Sequence, residues 1–520
     1  MHNGGEAALN SFHSRSNSGQ PHGATPVLSK ERRLGFFALV CVMYFTVSGG
    51  AFGVEPLVGA VGPGLAVLLI VVTPFVWSLP MALMVAELAT LLPEEGGYYV
   101  WVKESLGNFW AVQEAWWTMG YAITLMAMLP LLFVSYLDFF MRLAGVGTGP
   151  TYIALGPVFR WVLAAAIIFT AAIVNLFGAR DVGNSSKASA ALVVGAFAVM
   201  FFVWLLKYSQ SSHVIGIVKE DLASSRSDLL LLGLSIIVFN YGGWDNASTY
   251  AAEVDRPQRN YPRAIAVVFV VVILGYLLPV IAGIGATTDR ALWTTDAGWP
   301  VIAQLIGGKW LGMLIAGAGL VSVWALVNAQ LFYVSRMPLV LARDGWLPAR
   351  LAQVSSGSAA PRAAVVFCAL IAAILAAFSF GDLAVIQCLL YAAALALEFL
   401  SLVILRLRRP HAYRPFRVPG GWHGLAYVCI APLAFCVVVL FATLRDWRSF
   451  VGQIEVVGFV FASGAVLYFV RRRGRLSTRP QNASADAMSA IDSDPASTDE
   501  ITWRYLRREG LNGGGEWTQK

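Results

Sequence analysis

Uncharged stretches long enough to cross a bilayer recur along the chain. Residues 34–54, 56–86, 115–137, 161–179, 188–206, 264–288, 310–335, 363–381 and 418–444 contain no Asp, Glu, Lys or Arg. Three shorter stretches, 229–244, 383–397 and 456–470, reach spanning length with their flanks. A spanning helix needs about 20 mainly apolar residues, so the pattern predicts twelve transmembrane segments. The apolar runs are continuous and do not alternate in ten-residue units, which specifies helices rather than barrel strands. The expected fold is an all-α integral membrane protein.

Two segments carry a sequence that an unbroken helix would avoid. The first holds "SGGAFGVEP" at residues 48–56, with Gly49, Gly50, Gly53 and Pro56. Glycine is a poor helix former and proline lacks the amide donor that a helix interior requires. The sixth holds "FNYGGWDNAS" at 239–248, with adjacent Gly242 and Gly243 among polar residues. Unwound backbone is tolerated at membrane depth only where it lines a cavity or is buried in protein. Breaks five segments apart point to an inverted repeat of five plus five helices, with helices 1 and 6 crossing at a midplane substrate site. The unwound stretches 48–53 and 239–243 would then supply N–H groups for an anion and C=O groups for an ammonium. The alternative use of such glycines is close helix packing.

Carboxylates within apolar runs are costly and usually have a partner or a task. Glu55 and Asp245 adjoin the two breaks, where they can bind a substrate ammonium or a coupling proton. The alternatives are an outer-interface position for Glu55 and a helix-capping role for Asp245. Glu87, Glu114, Glu398 and Glu455 stand near segment ends, where interfacial placement accounts for them. Tyr241 and Trp244 lie inside the second break, where a ring can close over a substrate or stack on an amine. The carbonyls of Phe239, Asn240 and Tyr241 are candidate amine acceptors. Asn328 either lines the cavity or bonds between helices.

Composition agrees with this picture: 58% of the 520 residues are hydrophobic and 13% charged. With the N-terminus cytoplasmic and every segment crossing, 23 Lys and Arg fall on the cytoplasmic side and 9 on the other, as the positive-inside rule requires. This asymmetry explains the formal charge of +7 without a nucleic-acid partner. The polar, Gly-rich ends, residues 1–33 and 474–520, are expected to be disordered cytoplasmic tails around a transporter domain at 34–473. The five cysteines form no CxxC pair, and all six histidines fall in tails or loops. No disulfide framework, metal site or cofactor is expected. There is no HExxH, Walker loop or GxSxG, so the chain is read as a non-enzyme.

Taken together, these motifs resemble the amino acid–polyamine–organocation superfamily. "GGAFGVEP" is similar to its first-helix motif, and "FNYGGWDNAS" to the sixth-helix motif of the L-type amino acid transporters. "PEEGGYYVWVKESLG" (93–107), "EVDRPQRNYPRA" (253–264), "ARDGWLP" (342–348) and "RPFRVPGG" (414–421) resemble its loops after helices two, six and eight and before helix eleven. The resemblance implies a leucine-transporter-type fold. Within the superfamily, Gly53-Val54-Glu55 resembles the plant-type polyamine uptake branch. The chain departs from that branch at Leu125 and Ser135, where polyamine members carry acidic residues. No Lys lies deep in helix five, which leaves Glu55, Asp245 or Glu114 as candidates for proton coupling.

The expectation is therefore a secondary active permease of the plasma membrane, leaning to proton-coupled polyamine uptake. An amino acid permease or exchanger, and an amine sensor without net transport, are the alternatives. The expected binding residues are Gly49, Gly50, Gly53, Glu55, Phe239, Asn240, Tyr241, Gly243, Trp244 and Asp245.

Overall fold

A computed structural model describes residues 33–145, 156–207, 211–224, 229–295, 298–355, 358–378, 380–445 and 451–477. The predicted tails lie outside these residues, apart from Arg33 and residues 474–477, into which the last helix continues. Contacts divide the chain into two units, residues 1–465 and 466–520. The described part of the second is the C-terminal stretch of that last helix.

Among the described residues the regular secondary structure is helical, apart from one isolated bridge between Leu34 and Val254. The first predicted segment is two helices, α1 (Phe36–Val47) and α2 (Glu55–Val61). The second is α3 (Pro63–Thr73) and α4 (Leu79–Leu91), joined through a wide turn at Pro74–Ser78. Pro74 and Pro80 each remove an amide donor there, which widens the turn without ending the helix. The short α5 (Tyr98–Leu106) leads into the 36-residue α6 (Asn108–Leu143). α7 (Pro157–Phe177), α8 (Ala179–Lys207) and α9 (Ser211–Ser224) follow. α10 (Leu229–Asn240) ends at the second break, and a tight 3₁₀ stretch, Asp245–Glu253, resumes beyond it.

The second half contains α11 (Pro257–Ala286), α12 (Arg290–Trp293), α13 (Gly298–Gly307), α14 (Lys309–Val334) and α15 (Arg336–Arg343). α16 (Arg362–Leu375), α17 (Phe380–Arg408), α18 (Gly421–Arg445) and α19 (Val451–Ser477) complete it. Among the described residues, eight helices are long and apolar enough to cross a membrane. Four predicted segments are not among the eight: the first and sixth are each interrupted, the ninth is the 14-residue α16, and the eleventh is α18. Large apolar side chains such as Phe37, Phe202, Leu206 and Phe459 stand exposed, as lipid-facing residues do.

α6 lies along α14 and α17, while α1 packs on α8 and α11. The half-helices α2 and α10 touch, which brings the two breaks together. The loop motifs also meet one another. Glu95 pairs with Arg343, and Tyr99 and Lys103 both bond Asp344, joining residues 93–107 to 342–348. Leu34 N–H donates to the Glu253 carbonyl at 2.8 Å, which ties the entry of α1 to the end of the sixth segment.

Glu87 is buried within the protein. Its carboxylate takes Arg406, Arg414 at 3.1 Å and the Val418 N–H at 2.8 Å. Asn328 is also resolved. It donates to Ser185 at 3.1 Å and accepts from Asn175 at 2.8 Å, so it bonds α14 to α7 and α8.

Candidate functional site

The first break is held open by donors from surrounding helices. Ser322 on α14 donates to the Gly49 carbonyl, and Trp299 Nε1 on α13 donates to the Ala51 carbonyl at 2.7 Å. Asn240 Nδ2, at the end of α10, donates to the Gly53 carbonyl at 3.0 Å and so joins the two breaks directly. The Ser48 hydroxyl accepts the Gly50 N–H at 3.1 Å. Buried backbone of this kind persists only when it is satisfied, and here satisfaction comes from residues far away in sequence.

Glu55 opens α2 and is 5% exposed. One carboxylate oxygen accepts the Gly53 N–H at 2.6 Å, and the other lies 3.2 Å from the Tyr136 hydroxyl of α6. The side chain also occupies the helix start, where a negative charge is favoured.

At the second break, Asp245 is 0% exposed. Its Oδ1 accepts the Tyr391 hydroxyl of α17 at 2.8 Å, and its Oδ2 lies 3.2 Å from the Tyr121 hydroxyl of α6. Tyr121 also bonds Asn246. The Gly243 N–H donates to the Tyr391 hydroxyl at 3.0 Å, so a chain of hydrogen bonds runs from the unwound backbone to the carboxylate. Gly243 has φ +86°, and a Cβ there would stand 2.8 Å from the Thr46 carbonyl oxygen of α1. Gly243→Ala is expected to lower uptake at least tenfold, because alanine pays roughly 1–2 kcal/mol in this conformation before the clash is counted. Initial uptake rates, normalised to the amount of folded protein, test this.

The remaining sequence candidates also make contacts within the protein. Tyr241 is buried, donates to the Ile70 carbonyl at 2.9 Å and packs on Tyr276. Trp244 is buried, donates to the Tyr241 carbonyl at 3.1 Å and lies against Phe269. The Phe239 side chain is exposed. The three candidate carbonyls already have protein donors. Phe239 accepts from the Gly242 N–H at 3.5 Å, Asn240 from Tyr276 at 2.7 Å, and Tyr241 from Ser78 at 3.2 Å. These groups hold the break in shape.

Glu55 and Asp245 do not share one spot. Their partners Tyr136 and Tyr121 are fifteen residues apart on α6, about 22 Å along the helix axis. The carboxylates thus flank the breaks at two depths. Sequence reading missed Tyr121, Tyr136, Ser322 and Tyr391; each sits on a helix distant in sequence, and no local signal marks it. Glu114 and Glu398, for which interfacial placement was the alternative offered by sequence, are both 0% exposed. Glu455 is exposed.

Apolar spanning helices, two opposed backbone breaks and buried carboxylates on either side of them define a multi-pass membrane transporter. The sequence matches the amino acid permease family over residues 34–461, and the chain belongs to that family. It is 33% identical to the polyamine transporter RMV1 of Arabidopsis thaliana, over 80% of this chain and 81% of that protein. It is 33% identical to the polyamine transporter PUT1 of Oryza sativa subsp. japonica, over 88% and 82%. It is 25% identical to the methylthioribose transporter of Bacillus subtilis, over 86% and 94%.

Proposed function

We propose that this protein is a twelve-helix secondary active carrier that takes up polyamines, with helices arranged as a five-plus-five inverted repeat. The N-terminus and the Arg-rich loops face the cytoplasm, the membrane is the plasma membrane, and protons are the coupling ion. One observation carries the substrate class. The carboxylates beside both breaks are buried, and among the described residues no Lys or Arg forms an ion pair with either. Buried charges require a counterion, and a polyamine supplies one without bringing a carboxylate of its own. The similarity to named polyamine transporters supports the same reading.

Uptake into proteoliposomes with an imposed pH gradient tests it, comparing radiolabelled spermidine with leucine and arginine. Saturable spermidine uptake that collapses with the gradient is the expected result. Uptake of leucine or arginine without spermidine would make the protein an amino acid carrier. In the same assay, Glu55→Gln is expected to lower spermidine uptake about tenfold and neutral amino acid uptake much less. The exchange removes charge but keeps an acceptor for Gly53 and Tyr136, and charge-assisted bonds are about twice as strong as neutral ones. Spermidine uptake at the wild-type rate would remove Glu55 from amine binding.

A further inference from the structure

Two helical turns from Tyr121 and Tyr391, the tyrosines bonded to Asp245, toward the proposed cytoplasmic side lies a second buried acidic group. Glu114 precedes Tyr121 by seven residues on α6, and Glu398 follows Tyr391 by seven on α17. Seven residues are nearly two full turns, so each glutamate lies on its tyrosine's helix face, about 10 Å along the axis. The two tyrosine rings meet at 4.9 Å. The two glutamates interact electrostatically with each other and with Asp245, so both displacements run the same way.

This cluster lacks partners. Glu114 Oε1 accepts the Thr118 hydroxyl at 2.9 Å, but Glu114 Oε2 and both oxygens of Glu398 accept nothing. The hydroxyls of Tyr98 and Tyr333, both 0% exposed, are also unpartnered. Tyr98 lies within electrostatic reach of all three carboxylates, and Tyr333 within reach of Asp245. Among the described residues no Lys or Arg pairs with Glu114 or Glu398. Unpartnered buried oxygens are costly, and three neighbouring carboxylates cannot stay ionised together without cations.

We propose that Glu398 and Glu114 form an inner ammonium site, one level beyond Asp245, for the far end of a linear polyamine. One primary ammonium stands at Asp245 between Tyr121 and Tyr391. The other stands against Glu398 and Glu114, with the Tyr98 and Tyr333 hydroxyls as further acceptors. The span of about 10 Å, two turns of helix, selects long diamines and triamines; a monoamine reaches only the first level. This inference rests on the polyamine reading above.

Binding to the purified full-length protein tests it, using spermidine, linear diamines of increasing length and propylamine. In the wild type, affinity should rise with length until the terminal nitrogens are about 10 Å apart, the two-turn span. Glu398→Gln should weaken spermidine about tenfold to a hundredfold, as expected for loss of a charged hydrogen-bond partner. The same variant should flatten the length profile and leave propylamine within about twofold, which also reports correct folding. Glu398→Asp should recover part of the loss. Unchanged spermidine binding, or equal loss for spermidine and propylamine, would overturn the inner site while leaving polyamine transport standing. Unchanged binding with loss of gradient-driven accumulation would make Glu398 a proton carrier and overturn the site as stated. A wild type that binds leucine but no polyamine would overturn both readings.

Discussion

Asp245→Asn is expected to lower kcat/KM for spermidine uptake about a hundredfold, equivalent to roughly 2.7 kcal/mol of transition-state stabilisation. Asparagine has nearly the same shape, and its carbonyl can still accept the Tyr391 hydroxyl that Asp245 Oδ1 accepts at 2.8 Å. Its amide group, however, replaces Oδ2, which lies 3.2 Å from the Tyr121 hydroxyl. The substitution therefore removes the negative charge, where the surroundings are wholly buried and electrostatic terms are large. A neutral amino acid, if carried at all, should lose far less. Uptake kinetics for spermidine and leucine in the same proteoliposomes decide the matter. A hundredfold loss for both substrates would assign Asp245 to coupling rather than to the amine, and no loss would remove it from the site.

The second large effect concerns stability. Arg336 is 1% exposed and donates to Glu253 through Nε at 2.8 Å and Nη2 at 2.6 Å. It also donates to Ser335 at 2.9 Å, and its guanidinium lies 3.9 Å over the Phe332 ring. Arg336→Met would leave the Glu253 carboxylate buried without its counterion. Breaking a buried pair from one side costs about 3–5 kcal/mol, so the variant should show a clearly lower apparent melting temperature in detergent. Adding Glu253→Gln should restore much of the loss, because the stranded charge is then gone. If the double variant melts as low as the single one, the lost stability comes from packing against Phe332 rather than from the charge.

The breaks were legible in sequence because glycine and proline act locally. Gly49, Gly50, Gly53 and Gly243 interrupt apolar runs whatever surrounds them, and the chain unwinds at both places. The loop motifs were legible as motifs, but not as partners. Nothing in 93–107 announces that Glu95, Tyr99 and Lys103 meet Arg343 and Asp344. Glu114, Glu398 and Glu455 look alike in sequence, each near the end of an uncharged run. The first two are wholly buried and the third is exposed. α6 extends well beyond its uncharged stretch and packs against α5 and α17.

The sequence by itself determined the helical membrane class, the two interruptions and the acidic residue beside each. These follow from hydropathy and backbone propensity, which act over a few residues. The tertiary structure alone decided that Tyr136 meets Glu55, that Tyr121 and Tyr391 meet Asp245, and that the two carboxylates lie at different depths. It also decided that Tyr241, Trp244 and the carbonyls around them brace the second break. The reason is geometric. A helix face repeats every 3.6 residues, so sequence shows which residues share a face. Which helix that face meets is set by packing among segments hundreds of residues apart.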